Sequence, residues 1–200
     1  DVWLKTADDY QVLTYIHMVH ILYEHNAEHN VLRLLQARAV LTAAIVNTHI
    51  PVFRRLVVEA RPTIKPYVRL DLLELAINQK KYELTKIAAG ECQLDKSINE
   101  KVNDDTGDTV LFSAVRSGST QITRLLIDYG AEVDKENAKG ETPIFHVATS
   151  GNYEIAELLM KPEDDVMSIL DSAGNSPLDN VLNRLDEGDN KKIAQLFLKH

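Results

Sequence analysis

A glycine followed two positions later by threonine or serine recurs along this chain at an almost constant interval. The copies are 33 and 34 residues apart and read Gly107-Asp108-Thr109, Gly140-Glu141-Thr142 and Gly174-Asn175-Ser176. Gly118 and Gly151, which fall inside the interval, are again 33 residues apart. A period of this length indicates small units that stack on one another, because one unit alone cannot bury its apolar side.

The residues around these markers predict that each unit is a pair of helices. Thr109, Thr142 and Ser176 are suited to cap a helix through a side-chain oxygen. A proline follows two of these three residues, at the first helical turn, where no amide donor is lost. Gly118 and Gly151 suit a left-handed turn between two helices. With only 8 Gly and 6 Pro among 200 residues, the whole chain is predicted to be mostly helical.

The best copies, GDTVLFSAVRSGSTQITRLLIDYGAEVD and GETPIFHVATSGNYEIAELLM, resemble the ankyrin repeat, a β-turn finger followed by two antiparallel helices. The resemblance implies an all-α fold, an ankyrin-repeat solenoid of stacked helix-turn-helix units with β-turn fingers. Weaker copies carry Thr48 and Lys80 where the turn glycine belongs. We expect a single domain over residues 1–200, with a divergent helical hairpin or cap at 1–37 and repeats at 38–69, 70–106, 107–139, 140–173 and 174–200.

One position of the unit departs from the family pattern. Ankyrin repeats commonly have histidine two residues after the proline position, where this chain has Phe112, Phe145 and Asp179. Two interpretations of the phenylalanines are open: they pack between units, or they serve as aromatic anchors for a partner. Truncating them would destabilise the protein in the first case only.

The resemblance implies a non-enzymatic module that binds another protein along its concave surface, without a cofactor. The residues that would contact the partner lie at the finger tips and on the exposed face of each first helix. In the fingers they are Tyr67, Arg69, Asp104, Asp105, Glu136, Lys139, Asp171 and Ser172, and on the helices they are Asn78, Ser113, Arg116, Ser117, Thr149, Ser150 and Asn183.

Charge is divided unevenly along the chain. Residues 1–30, 31–90 and 91–200 carry formal net charges of −4, +6 and −10, which account for the −8 of the whole. The acidic C-terminal half predicts a basic segment on the partner and argues against nucleic acid as a ligand. The basic centre predicts a separate acidic contact, with a nucleic acid backbone or solvated helix faces as the alternatives.

The location of the protein is predicted from absences in the sequence. No apolar stretch approaches the roughly 18 residues of a membrane span. The single cysteine, Cys92, cannot form an intrachain disulfide. These features favour the cytoplasm, with the nucleus as the alternative. Because the chain begins at Asp1, we expect it to be a piece of a longer polypeptide.

Two other functions compete with partner binding. The pattern His25-x-x-Glu28-His29 matches an inverted zinc protease motif, in which two histidines hold zinc and a glutamate activates water. Asparagines on both sides of it favour a turn over the continuous helix which that chemistry requires. The other alternative is a self-associating scaffold, because Ala194, Phe197 and Leu198 are apolar where an end repeat should be polar. Cys92 is interpreted as an ordinary thiol.

Overall fold

The computed structural model describes residues 45, 50, 53–54, 66–91, 95–102, 105–160 and 168–199, and its contacts divide the chain into two units, Asp1–Gln93 and Leu94–His200. The described residues contain eight α-helices, two 3₁₀ helices and no β-strand, in agreement with the predicted all-α fold. The 3₁₀ helices are Asp95–Asn99 and Pro143–His146. The α-helices are α1 Pro66–Asn78, α2 Tyr82–Glu91, α3 Val110–Ser117, α4 Thr120–Asp128, α5 Val147–Ser150, α6 Tyr153–Leu159, α7 Pro177–Leu182 and α8 Asn190–Phe197.

In the first unit, α1 and α2 form one packed helix pair. The turn between them is made by Lys80, whose φ of 53° lies in the left-handed region. The Lys80 amide donates to the carbonyl of Ile77 at 2.8 Å. Leu73 and Leu84 are fully buried in this unit. Lys80 therefore occupies the position of the turn glycine, as the repeat alignment predicts.

The start of α1 corrects the sequence prediction in this region. Tyr67 and Arg69 lie inside α1 and not in a finger. The predicted repeat boundary between residues 69 and 70 falls within the same helix. Pro66 accounts for the early start, because proline fits the first helical turn without the loss of a hydrogen bond. The other predicted boundaries stay predictions.

The described residues of the second unit form three helix pairs. Helix α3 pairs with α4, the 3₁₀ helix Pro143–His146 continues into α5 and pairs with α6, and α7 pairs with α8. The first two pairs turn at Gly118 and Gly151, whose φ angles of 72° and 58° confirm the predicted left-handed turns. The third pair has a longer connection that includes Gly188, with φ 53°.

The capping prediction is confirmed for Ser176 and wrong for the two threonines. Oγ of Ser176 accepts from the amide of Asp179, and the Asp179 carboxylate accepts from the Ser176 amide at 2.7 Å. Thr109 and Thr142 have the extended backbone of a cap, but their Oγ1 atoms are buried and have no hydrogen-bond partner among the described residues. Threonine is β-branched, so the packing of its methyl group also fixes the direction of Oγ1, whereas a serine hydroxyl turns more freely.

The fingers are the loops before each first helix, and in the second unit we name them first (residues 105–108), second (131–142) and third (168–175). Main-chain hydrogen bonds join neighbouring fingers. The Ala138 amide donates to the Thr106 carbonyl at 2.8 Å, and the Ser172 amide donates to the Lys139 carbonyl at 2.8 Å. The Ser172 hydroxyl donates to the same Lys139 oxygen at 2.7 Å. These bonds fix the spacing of the fingers along one row.

Aromatic packing and asparagine amides connect the helix pairs of the second unit. Phe112 and Phe145 are 0% and 2% exposed. The rings of Phe112 and His146 pack edge to face, with 5.4 Å between the ring centroids. The packing interpretation of the phenylalanines is therefore confirmed, and their use as partner anchors is wrong. The amides of Asn152, Asn180 and Asn190 donate to the carbonyls of Gly118, Phe145 and Ala148, respectively, at 3.0 to 3.3 Å.

Candidate partner-binding surface

Asp108 lies at the centre of a polar network that joins the first finger, the second finger and α3. Its Oδ2 accepts from Nη1 of Arg116 at 2.6 Å, and its Oδ1 accepts from Nδ2 of Asn137 at 2.9 Å. The Asp108 side chain is 6% exposed. Since Asn137 belongs to the second finger and Asp108 to the first, their hydrogen bond connects the two fingers through side chains as well.

The charge of Asp108 is stabilised in this setting. Burial acts to raise the pKa of its carboxyl, but the hydrogen bonds from Asn137 and Arg116, together with the Arg116 charge, outweigh burial. The pKa of Asp108 therefore lies below its ordinary value, and the group is a carboxylate at neutral pH.

Arg116 stands in the last turn of α3, and its side chain extends back towards the finger. Besides the bond to Asp108, its Nη2 donates to Oγ of Ser113 at 3.4 Å. Ser113 is only 3% exposed, while the Arg116 side chain is 34% exposed. Arg116 thus contacts Ser113 and keeps about a third of its side chain accessible to solvent.

Glu141 and His146 extend the network from the second finger into the next helix pair. Oε2 of Glu141 accepts from Nδ2 of Asn137 at 2.9 Å, and it lies 3.3 Å from Nε2 of His146. The latter contact lacks hydrogen-bond geometry, so Nε2 of His146 is buried without a hydrogen-bond partner among the residues described. Asn137 also orders its own finger, because its Oδ1 accepts from the amides of Lys139 and Glu141 at 2.8 and 3.1 Å.

The environment of His146 favours the neutral imidazole. Burial lowers its pKa, and the positive charge of Arg116 lowers it further. Glu141 and Asp108 act in the opposite direction, but they do not compensate. The pKa of His146 consequently lies below 6.5, its ordinary value.

The structure separates the predicted contact residues by exposure. Ser113 is buried, so its prediction as a directly contacting residue is corrected: the side chain lies beneath Arg116. Asp104 and the side chains of Tyr67 and Arg69 lie outside what the structure describes. Arg116, Ser117, Ser150 and Asp171 are half-buried, and Asn78, Asp105, Glu136, Lys139, Thr149, Ser172 and Asn183 are exposed. Their use in binding stays a prediction.

Apart from Ser113, sequence reasoning did not find the polar network around Arg116. Asp108, Asn137 and Glu141 were absent from the predicted surface, as was a role for His146. One signal was available, because the middle position of the Gly-x-[ST] marker is Asp108, Glu141 or Asn175, a polar residue in every copy. A polar residue kept next to a buried first helix indicates a hydrogen-bonding role in the finger.

The zinc motif and the cysteine cannot be placed, because His25, Glu28, His29 and Cys92 lie outside the described residues. Within the described ranges, no group of three or more His, Cys, Asp or Glu side chains is arranged to hold a metal ion. No helix in the same part of the chain is long and apolar enough to cross a membrane.

Comparison with known families agrees with this architecture. Residues 72–169 match the model of the family described as ankyrin repeats (3 copies). These residues include α1 from Leu72 onwards, α2 and the first two helix pairs of the second unit. The chain is therefore an ankyrin-repeat protein, and repeats of this class generally mediate protein–protein interaction.

Three relatives show how widely the repeats are used. The ADP-ribosylation factor GTPase-activating protein AGD2 of Arabidopsis thaliana is 33% identical over 91 residues, which are 46% of this chain and 12% of that protein. Protein phosphatase 1 regulatory subunit 27 of Homo sapiens is 33% identical over 93 residues, 46% of this chain and 56% of the relative. A putative ankyrin repeat protein of Rickettsia bellii is 34% identical over 83 residues, 42% of this chain and 45% of the relative.

The likeness is confined to part of each relative. This chain spans 12% and 14% of AGD2 and of the Arabidopsis thaliana protein AGD4, which carries the same description. The activity of those proteins as wholes is not a property that the shared segment carries over to this chain.

Proposed function

We propose that this chain is a non-enzymatic protein-binding module whose partner lies along the fingers and the exposed residues of the first helices. The observation that carries the proposal is the row of fingers in the second unit, in which each finger is hydrogen-bonded to the next. A surface held in one conformation binds with a smaller loss of conformational entropy than a flexible loop. The relatives fit this role, since one of them is described as a regulatory subunit.

The charge of the surface supports a basic segment on the partner. Residues 91–200 carry a net charge of −10, and Asp105, Glu136 and Asp179 are exposed acidic residues in or beside the three fingers. Complementary charge increases the rate of association more than the final affinity. We expect the association rate to fall as salt rises, with the basic region 31–90 available for a second, acidic contact.

The test is affinity capture with the full chain and a variant of the finger surface. We choose Glu136→Lys, Lys139→Glu and Thr149→Arg, because all three positions are exposed. The matched control is Glu154→Lys, Lys191→Glu and Gln195→Arg on the second helices, which makes the same net change of charge at exposed positions. An interactor that binds the wild type and the control as purified proteins, but not the finger variant of equal melting temperature, supports the proposal. Loss with both variants, or with neither, overturns it.

Self-association is a second candidate, but the exposed residues that support it differ in part from the predicted ones. Ala194 and Phe197, two of its three predicted residues, are 6% and 0% exposed. Leu198 is 65% exposed. Leu182 is 46% exposed, although Ala148, its counterpart in the preceding helix pair, is 1% exposed. If copies pair through this face, Leu182→Gln should lower the mass measured by light scattering at high concentration. A wild-type mass equal to one chain at every concentration excludes this candidate.

A further inference from the structure

Arg116 supplies most of the solvent-exposed surface at the end of α3. The residues of α3 from Val110 to Val115 are all buried, and Arg116 and Ser117 at its end are half-buried. The hydroxyl of Ser117 donates to the Ala114 carbonyl at 2.7 Å and is therefore engaged within the helix. A partner that crosses this helix therefore contacts the Arg116 side chain.

The position of Arg116 in the repeat carries different chemistry in each unit. Its counterparts at the repeat spacing are Thr149 and Asn183, both exposed and uncharged. Among the three described helix pairs of the second unit, only the first pair therefore has a cation at this position. A charged residue in one repeat, where the other repeats have neutral residues, can recognise one particular residue of the partner. Differences of this kind give a repeat surface its specificity.

The guanidinium is held in place before any partner arrives. Asp108 accepts from Nη1 at 2.6 Å and is itself fixed by Asn137 at 2.9 Å, so the anchor of Arg116 is a buried, hydrogen-bonded carboxylate. Arginine has five N–H donors, and the bonds to Asp108 and Ser113 use one donor of Nη1 and one donor of Nη2. With 34% of the side chain exposed, donors remain accessible for an incoming acceptor. Little side-chain entropy is left to lose on binding.

The chemistry of the site selects an acidic side chain. The Asp108 side chain is 6% exposed and the Arg116 side chain 34%, so the cation is the more exposed member of the pair and the carboxylate is shielded. Planar guanidinium matches a carboxylate in a two-bond geometry that a basic or apolar side chain cannot form. The residues that flank the network, Asp105 before Asp108 and Glu136 before Asn137, are exposed and acidic. They favour basic side chains close to the one that meets Arg116.

We infer that Arg116 is the specificity-determining residue of the finger surface, and that it binds a carboxylate side chain set within an otherwise basic segment of the partner. Asp108 and Asn137 are its positioning residues. This inference rests on the proposed function, because it names the partner chemistry of the same surface.

The test is selection of peptides from a random library displayed on phage, with the full chain as bait. Four baits are compared: wild type, Arg116→Gln, Arg116→Lys and a control, Arg124→Gln, which makes the same change of charge at an exposed position of the second helix α4. We expect peptides selected by the wild type and by Arg124→Gln to share one acidic residue close to lysine or arginine. Arg116→Gln should select basic peptides without the acidic residue and should bind the wild-type peptide roughly tenfold more weakly. Arg116→Lys should fall between, because lysine keeps the charge but not the planar fork.

The positioning role has its own variant and readout. Asp108→Asn keeps the size of the side chain but removes the charge that anchors Arg116. It should weaken the preference for the acidic residue while the preference for the flanking basic residues is unchanged. A structural role alone would reduce binding to every peptide equally, and melting temperatures measured for each bait identify that case.

Two failures can be told apart. If Arg116→Gln selects the same peptides as the wild type, including the acidic residue, the assignment to Arg116 is overturned while the binding function stands. If the wild type enriches no common sequence although its fold is intact, the finger surface does not recognise a segment of this kind, and the proposed function fails with the inference.

Discussion

The side-chain amide of Asn137 donates a hydrogen bond of 2.9 Å to the carboxylate of Asp108, which lies 29 residues earlier in the chain. Asn137 also accepts from the amides of Lys139 and Glu141, so one residue shapes its own finger and fastens it to the preceding finger. Asp171, the counterpart of Asn137 in the third finger, accepts from the amides of Ala173 and Asn175 in the same way. The turn is thus common to both fingers. Of the two residues, Asn137 alone also makes a side-chain bond to the preceding finger.

We expect Asn137→Ala to destabilise the protein by about 2–3 kcal/mol, because it leaves a buried carboxylate without one donor and removes two turn bonds. Asp171→Ala removes only an exposed turn and should lower the free energy of unfolding by about 1 kcal/mol or less. Urea denaturation of both variants gives the comparison. Equal losses would mean that the bond to Asp108 contributes nothing beyond the turn.

Lys80 carries the backbone strain that glycine avoids at the same place in the other pairs. Its φ of 53° matches those of Gly118 and Gly151, at 72° and 58°. We expect Lys80→Gly to stabilise the protein by about 0.5–1 kcal/mol, because relief of the left-handed conformation exceeds the entropy that glycine costs. Lys86→Gly, at an exposed position inside α2, is the matched control and should destabilise by about 1 kcal/mol. Denaturation curves in which both variants move in the same direction would contradict this account.

The repeat spacing, together with the resemblance to the ankyrin repeat, was sufficient to predict the described helix pairs and the turns at Lys80, Gly118 and Gly151. Gly118, Gly151 and even Lys80 were predictable because the left-handed turn is a local requirement that returns with each unit. The start of α1 at Pro66 was missed, since the first copies lack the glycine marker and their register rested on a few apolar positions.

The partners of Arg116 were harder to predict than the turns. Its bond to Asp108 crosses eight residues, and the bond from Asn137 to Asp108 crosses 29, so neither pair follows from the spacing of a helix. Burial of Ser113 was missed as well, because Ser113 lies in a stretch of α3 that is buried from Val110 to Val115. Side-chain direction is set by packing and hydrogen bonding after the units have stacked.

Gly188 lies in direct contact with the backbone of the preceding helix pair. A Cβ at this position would be 2.8 Å from the carbonyl oxygen of Gly151 and 2.9 Å from its Cα, and these backbone atoms cannot move aside. Gly174, with φ 82°, has no atom within 4 Å of the same added carbon. Gly174→Ala should therefore show the cost of a positive φ alone, about 1 kcal/mol. Gly188→Ala should cost about 1–3 kcal/mol more, as judged by thermal or urea unfolding, because it adds a steric clash. Similar values for the two would show that the loop moves freely away from Gly151.

His146 should make stability depend on pH in a defined window. Its pKa is lowered in the folded protein, so below pH 6.5, the ordinary value, the unfolded chain binds a proton that the folded chain does not. The contribution of this group to the free energy of unfolding is at its maximum above that pH. It decreases as the pH falls, by at most about 1.4 kcal/mol per pH unit, until the folded imidazole is protonated too. We expect His146→Gln to remove this component. The measurement is the difference in unfolding free energy between wild type and variant from pH 7.5 to 5. A difference that does not change with pH would contradict the lowered pKa.

The three residues that open the first helices should respond differently to loss of their hydroxyl groups. Oγ1 of Thr109 and of Thr142 is buried without a partner among the described residues, so replacing either threonine by valine removes a desolvated hydroxyl and keeps the shape. We expect Thr109→Val and Thr142→Val to leave the free energy of unfolding unchanged or to raise it by up to about 1 kcal/mol. Ser176→Ala removes a capping box and should lower it by about 1–2 kcal/mol. Urea denaturation of the three single variants decides the matter. A loss of 1 kcal/mol or more in either valine variant would mean that the threonine hydroxyl caps its helix in solution after all.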